Sequence, residues 1–498
     1  MTDAPEPAEP SLDIDRHLKY WRMCLQAPLP IHYLSNDGNR MALAYFIINS
    51  IAILTPPPLS ASSSSSSPNP EQQQPTPPRR KQPLIPPEDR PRLRQWVLSH
   101  QQPGGGFAST PTLLFPAAEK GPSSAGWEGE TGGAEEGGEE DDREGACAAG
   151  LANLAATLFA LQLLALLADE GDEAGAFAGV DRARTLRWLR RLQRDDGSFG
   201  EVLKRLPRVG WFIGGGYDMR YCYLAASIRW MLRGDVREGE PGWVGDFDTE
   251  GLARYISRSQ TYDGGFAGSS AEEPHAGYAY CAIGALSLLD RPLHNSTAAY
   301  SSAVLHSGIR DVPGLLHWLA SRQFIYLEPS TVDDEEEEED NFLLPQSLAD
   351  LTLSENGRHV ACNGRCNKVA DTCYTWWVGA ALANLGHRDL LDWTSSRRFL
   401  LEKMAHRIGG FGKHPGDPPD VYHACFGLTA LAVMGEPGLS EVDSALAVPV
   451  STVRVIEKAR AALVERARDE RRSLVTGALE MGLAMRGEKP SWLSAVGG

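Results

Sequence analysis

Apolar residues at helical spacing follow an aspartate across residues 13–28, DIDRHLKYWRMCLQAP. That pattern predicts a capped amphipathic helix ending before the proline. Residues 39–54 are apolar on nearly every side, as in a helix with no wet face. The contrast recurs along the chain. A helix leads into residues 101–107, and another is expected near 180–192. Ala-rich apolar helices are expected over 220–232, 277–289 and 422–434. Residues 146–168 run for 23 positions without a charge, long enough to cross a bilayer. They are mostly Ala and Leu and carry Asn153, Thr157 and Gln162, so they read as one buried helix of a larger helical protein. No segment shows a sustained alternation of strand type. The pattern predicts an all-α class built of stacked helix pairs.

A short turn motif punctuates these helices. Gln193-Arg-Asp-Asp-Gly-Ser-Phe-Gly200 recurs as Gln260-Thr-Tyr-Asp-Gly-Gly-Phe-Ala267. A weaker copy spans 101–107 and a fragment, GGFG, spans 409–412. Each copy is expected to end a helix with glycines at positive φ and to plug a Phe into the core. Arg220, His275, Asp371, Cys373 and His423 all fall at the start of an apolar helix. In a closed ring of helix pairs such positions share one end, which would place these residues at the mouth of one cavity.

Charge changes the picture little. The net charge of −17 in 498 residues comes almost wholly from two runs, 128–144 and 333–340, which together carry all but one of those negative charges. The acidity belongs to solvated insertions, expected to be disordered and able to attract basic partners. No basic stripe supports nucleic-acid binding. Three insertions interrupt the period, at 56–92 (Pro/Ser-rich), 116–146 (acidic, Gly-rich) and 328–345 (acidic), within a single domain over 1–498. Eight irregularly spaced cysteines do not make a disulfide framework. The first residues carry no secretory signal pattern, and with no membrane span expected, a cytoplasmic location is. The sequon at Asn295 is then a chance match.

The densest chemistry lies in residues 364–377, GRCNKVADTCYTWW. On a helix, Lys368, Asp371 and Tyr374 share a face. Cys373, two after Asp371, suits a ligand pair at a helix start. Arg365 and Lys368 suit an anion near unpaired backbone N–H groups. Taken alone, the stretch suggests a metal beside a polyanion site. A surface Asp–Lys pair with a buried thiol serves an isolated D-x-C at least as well.

With these residues assembled, the chain resembles the β subunits of the protein prenyltransferases, and among them those of geranylgeranyltransferase type I. The resemblance rests on RHLKYWRMCLQAPLP, NRMALAYFIINSIAIL, YDMRYCYLAAS, QTYDGGFAG, PHAGYAYCAIGAL, GRCNKVADTCYTWW and GGFGKHPGDPPDVYHACFGL, and covers most of the chain outside the insertions. It implies an α/α barrel with a catalytic zinc on Asp371, Cys373 and His423. It implies diphosphate binding by His275, Arg365, Lys368, Tyr374 and Arg220, the last oriented by Asp218. An isoprenoid tunnel would be lined by Ala42, Tyr223, Cys281, Trp377 and Phe426; for Tyr223, Cys281 and Trp377 plain core packing is the competing account. Lys413 stands where farnesyltransferases place a magnesium-binding Asp, so magnesium is expected to be dispensable. Ala42, in place of a Trp, leaves room for a longer isoprenoid. Tyr422 instead follows the farnesyl pattern. The implied activity is transfer of a geranylgeranyl group from geranylgeranyl diphosphate to the cysteine of a C-terminal CaaX motif, CaaL type, on proteins such as small GTPases, with an α subunit as partner. Rival readings are a farnesyltransferase β subunit, a terpenoid cyclase and a non-catalytic scaffold. The cyclase would need carboxylates where Val369, Ala370 and Thr372 stand.

Overall fold

The computed structural model describes residues 9–56, 83–110, 151–206, 210–293, 302–327 and 358–485. Fourteen α-helices occur among the described residues. The first five are α1 (Ile14–Gln26), α2 (Arg40–Leu54), α3 (Arg90–Leu98), α4 (Leu154–Leu166) and α5 (Arg182–Arg191). Then come α6 (Met219–Leu232), α7 (Thr249–Arg258), α8 (Ala276–Asp290), α9 (Ala303–Gly308) and α10 (Val312–Ala320). The last four are α11 (Thr372–Asn384), α12 (Trp393–Phe399), α13 (Val421–Met434) and α14 (Val450–Met485). Contacts group the chain into two compact units, one of residues 1–34, 43–96 and 316–450, the other of 35–42, 97–315 and 451–498.

In the second unit, α6 packs between α4 and α8. All three are apolar on every face and almost wholly buried, while α5 and α7 bury one stripe each. In the first unit, α11 packs on α13, two helices of the same buried kind.

The repeated turn is a latch between helices. Gln193 donates from Nε2 to the carbonyl of Asp248 (2.8 Å) and accepts the Asp248 N–H at Oε1 (2.7 Å). Asp248 in turn caps α7, accepting the Gly251 N–H at 2.8 Å. Gln260 grips Asp311 in the same two-point way (2.8 and 3.0 Å). Gln101 does so with the Gly179 carbonyl (3.0 Å) and the Asp181 N–H (2.8 Å). The glycine of each turn is forced. Gly197 has φ +93°, and a Cβ there would overlap the Gly251 carbonyl. Phe107, Phe199, Phe266 and Phe411 are each fully buried.

A copy that the glycine pattern does not reveal starts at Gln323. It donates to the Leu390 carbonyl (2.7 Å) and accepts the Asp392 N–H (2.8 Å), so it latches the start of α12. Here a two-stranded ladder, β3 (Gln323–Ile325) with β4 (Val360–Cys362), replaces the glycine turn. The 405–412 copy carries Ala405 in place of Gln and docks on α1. Gly409 meets the Arg16 backbone, and the buried His17 ring accepts the Gly410 N–H at Nδ1 (3.1 Å) while stacking on Phe411 at 4.9 Å.

Several expectations need correction. The 146–168 segment is not one helix: α4 starts at Leu154, capped by Asn153, whose side chain accepts the Ala156 N–H at 2.8 Å. Short strands do exist, since β1 (Val202–Leu206) pairs with β2 (Gly210–Gly214), and β5 (Val442–Asp443) with β6 (Val448–Pro449). At two to five residues each, they are too short to leave an alternating signature. In the 56–92 stretch, 83–92 is structured: Leu84 and Ile85 are buried, and a 3-10 turn over Pro87–Asp89 leads into α3. Residues 57–82 and the insertions at 116–146 and 328–345 lie outside the described residues. The 36-residue α14 is not among the helices that the apolar pattern predicts.

Candidate metal centre

Helices that are apolar on all sides can present polar groups only at their ends, where the first N–H groups lack helical partners. Here those N–H groups are met by side chains that also carry candidate chemistry. Asp371 caps α11, its Oδ1 accepting the Cys373 N–H at 2.9 Å. Asp420 caps α13, its Oδ1 accepting the N–H groups of Tyr422 and His423, both at 2.9 Å. The second oxygen of Asp420 lies 2.6 Å from His423 Nδ1. Nδ1 thus donates to Asp420, and Nε2 is turned toward Asp371, 3.3 Å from its Oδ1. The ligand atoms of Asp371, Cys373 and His423 all lie within 4.8 Å of one another, and no other such group occurs among the described residues.

The electrostatics fit a cation. Burial would lower His423, but hydrogen bonds to Asp371 and Asp420 outweigh it and push the imidazole up to about 9. Burial would raise Asp371, yet its contacts with His423 and Cys373 hold it below the usual carboxylate range. Burial, then the Asp371 charge, drive the Cys373 thiol well above its ordinary value. With only a proton to bind, the site therefore keeps His423 charged and Cys373 neutral. A divalent ion would replace that proton and hold the thiolate. One oxygen, one sulfur and one nitrogen at this spacing match the donor set of a zinc site with three protein ligands and an open position.

The surrounding residues are fixed from the same helix starts. Thr372 donates its N–H to the Lys413 carbonyl (3.1 Å) and its hydroxyl to the Gly412 carbonyl (2.6 Å). His414 Nδ1 lies 2.7 Å from the Ala370 carbonyl. The exposed Lys413 is thereby tied by its backbone to the start of α11. Tyr374 packs against Gly364, where a Cβ would come within 2.2 Å of its ring, and Arg365 acts on the phenol electrostatically. Lys368 does not share a helical face with Asp371 and Tyr374: it lies in the loop before α11, its carbonyl accepting from Asn363 Nδ2 at 3.0 Å. Trp377 and Phe426 pack with ring centroids 4.5 Å apart, and Tyr422 stands 4.8 Å from Phe426. Tyr422 and Trp377 both reach the Cys373 sulfur.

In the other unit, Asp218 caps α6 and grips the exposed Arg220, whose Nε lies 3.0 Å from both carboxylate oxygens. His275 caps α8 by accepting the Gly277 N–H at Nδ1 (3.0 Å), which leaves the proton on Nε2 as a donor. Cys281 is buried and Tyr223 meets the Tyr280 hydroxyl at 3.3 Å, so both are core residues as well as candidates. Ala42 lies in the first turn of α2, half-buried. Sequence reasoning passed over Asp420. The available signal was an acid two or three residues before the first candidate of a helix, as with Asp218 and Arg220.

A family model described as the prenyltransferase alpha-alpha toroid domain matches residues 12–448. The chain belongs to this prenyltransferase family. This prenyltransferase chain is 29% identical over 459 residues to the geranylgeranyl transferase type-1 subunit beta of Arabidopsis thaliana, covering 90% of this chain and 92% of that one. It is also 29% identical over 299 residues to the protein farnesyltransferase subunit beta of Pyricularia oryzae, covering 56% and 48%. Among solved structures, it resembles Candida albicans protein geranylgeranyltransferase-I complexed with GGPP, with a TM-score of 0.61 at 22% identity over 90% of this chain and 99% of that one. The all-α toroid and the resemblance to type I β subunits are thus borne out. No helix among the described residues is long and apolar enough to cross a membrane.

Proposed function

We propose that this chain is the β subunit of a zinc-dependent protein geranylgeranyltransferase, working with an α subunit in the cytoplasm. It transfers the geranylgeranyl group of geranylgeranyl diphosphate to the cysteine of C-terminal CaaX motifs, CaaL type, on proteins such as small GTPases. The observation that carries this reading is the convergence of the Asp371, Cys373 and His423 donors on one point at the starts of α11 and α13. Zinc held there would supply the Lewis acidity that keeps a substrate thiol deprotonated near neutral pH.

The chain's own residues serve the leaving group. As the carbon–oxygen bond breaks, negative charge grows on the diphosphate, and donors aimed at that charge speed the reaction. Arg365 and Lys368 supply cations, Tyr374 a hydroxyl and His275 its Nε2 proton; Arg220, braced by Asp218, adds a guanidinium. The Lys413 ammonium neutralises the oxygens that magnesium would otherwise meet. Ala42, Tyr223, Cys281, Trp377 and Phe426 form the isoprenoid wall in this reading.

The test is single-turnover transfer by the purified heterodimer from each isoprenoid diphosphate, with and without magnesium, alongside zinc content. Preference for the longer diphosphate, no magnesium requirement and one zinc per β subunit are expected. Absence of zinc would favour a scaffold. Farnesyl transfer is the second reading, since Tyr422 follows the farnesyl pattern; a preference for farnesyl diphosphate with a magnesium requirement would establish it instead.

A further inference from the structure

Cys366 stands between Arg365 and Lys368 in the loop before α11. It is the exposed cysteine among those described; the others are buried or, for Cys24, half-buried. Arg322, just after α10 and only 4% exposed, points its Nη2 at the Cys366 sulfur at 3.2 Å. The same guanidinium donates to the Trp318 carbonyl (3.3 Å) and to Ser321 Oγ (3.2 Å), and lies 4.7 Å from the Trp318 ring centre. Its Nη1 is buried with no acceptor among the described residues, and none of their carboxylates pairs with it. A buried cation lacking both an anion and one hydrogen bond is costly. An oxygen added to the Cys366 sulfur would supply the acceptor.

We propose that Cys366 is a peroxide-sensitive modification site whose oxidised form is held by Arg322. The Cys366 sulfur attacks one oxygen of hydrogen peroxide, the O–O bond breaks and an S–O bond forms. The sulfur gives up two electrons and becomes a sulfenic acid. The departing hydroxide takes the thiol proton and leaves as water. Resting on the diphosphate reading above, a new acidic group between Arg365 and Lys368 weakens isoprenoid diphosphate binding.

The experiment treats the full-length heterodimer with hydrogen peroxide, traps sulfenic acid with dimedone, and maps each cysteine by peptide mass spectrometry. Labelling at Cys366 is expected to be about tenfold faster than at Cys24 and slower by a similar factor in Arg322→Leu. Should that variant fail to fold, the unmodified protein still decides. Arg322 should raise the ratio of anionic iodoacetate to neutral iodoacetamide reaction at Cys366 above that at Cys24. Equal rates, or equal ratios, at the two cysteines overturn the proposal. Peroxide should raise KM for the diphosphate in the unmodified protein and leave Cys366→Ser unchanged. Labelling with no change in KM would retain the modification site and remove its link to diphosphate.

Discussion

Acidification should weaken the first unit through His17, by an amount the structure lets one work out. The ring is fully buried, its Nδ1 accepts the Gly410 N–H, and burial, helped by Arg16, lowers it to about 4. The unfolded chain protonates this residue near 6.5. Below that value the unfolded state binds a proton that the folded state refuses, so stability is full above about 6.5 and falls as the pH drops toward 4. Between pH 7 and pH 5 the loss is about 2 kcal/mol, from the one proton that the unfolded chain takes up over that range and the folded one does not. His17→Asn keeps a side-chain acceptor for Gly410 but cannot titrate. It gives up the stacking on Phe411, so its stability at pH 7 should be lower by about 1–2 kcal/mol. Its stability should nonetheless fall less on acidification. Urea unfolding followed by tryptophan fluorescence at pH 7, 6 and 5 measures both. If the two proteins lose stability in parallel, His17 is not a buried neutral latch and the reasoning fails.

Three further outcomes are expected. Asp420→Asn retains a capping side chain but loses the charged partner of His423 Nδ1, so zinc affinity should fall about 10–100-fold in chelator competition while helix content by circular dichroism stays the same; unchanged affinity would mean that Asp420 only caps. Gly364→Ala pushes a methyl into the Tyr374 ring, so KM for the isoprenoid diphosphate should rise with little change in the thermal midpoint; a normal KM would remove Tyr374 from the diphosphate site. The acidic runs at 128–144 and 333–340 are expected to draw in substrates with polybasic tails, so raised salt should slow long basic substrates more than short neutral peptides. Deleting both runs should abolish that difference, and a retained difference ends the idea.

The readable part of the fold was the part written in special residues. Gly197 and Gly264 occupy positive φ, and the adjacent phenylalanines plug the core, so DGSF and DGGF announce themselves. The Gln323 copy stayed hidden because its latch is a single glutamine and an insertion separates it from its pairing strand. The apolar pattern presents Asn153 as a polar residue within a longer run, although an Asn before such a run is the standard form of a cap. Hydropathy alone therefore carries the predicted helix back to 146, whereas α4 begins at Leu154. Lys368 was misplaced for a related reason: the 3.6-residue period was applied upstream of Asp371, before the helix begins. Asp371 and Cys373 were legible as a ligand pair by type and spacing, whereas His423 joined them as a third ligand only through the family resemblance. What brings them together, the packing of α11 on α13, is a long-range contact that no local pattern encodes.

The site's position follows from the kind of helix that carries it. An all-apolar helix needs a polar side chain at its N-cap whether or not it does chemistry, and that residue faces the helix end rather than the core. Asp371 uses one carboxylate both to cap α11 and to meet His423 Nε2. Asp420 divides its two oxygens between the α13 backbone and His423 Nδ1. Asp218 and His275 cap their helices while holding, or offering, a donor. Stability and candidate chemistry thus draw on the same atoms, so an alanine at any of these positions would damage both and distinguish neither. Replacements that keep a cap and remove the charge, such as Asn for Asp, separate the two roles, because the helix needs only an acceptor whereas a metal held at this site would need an anion.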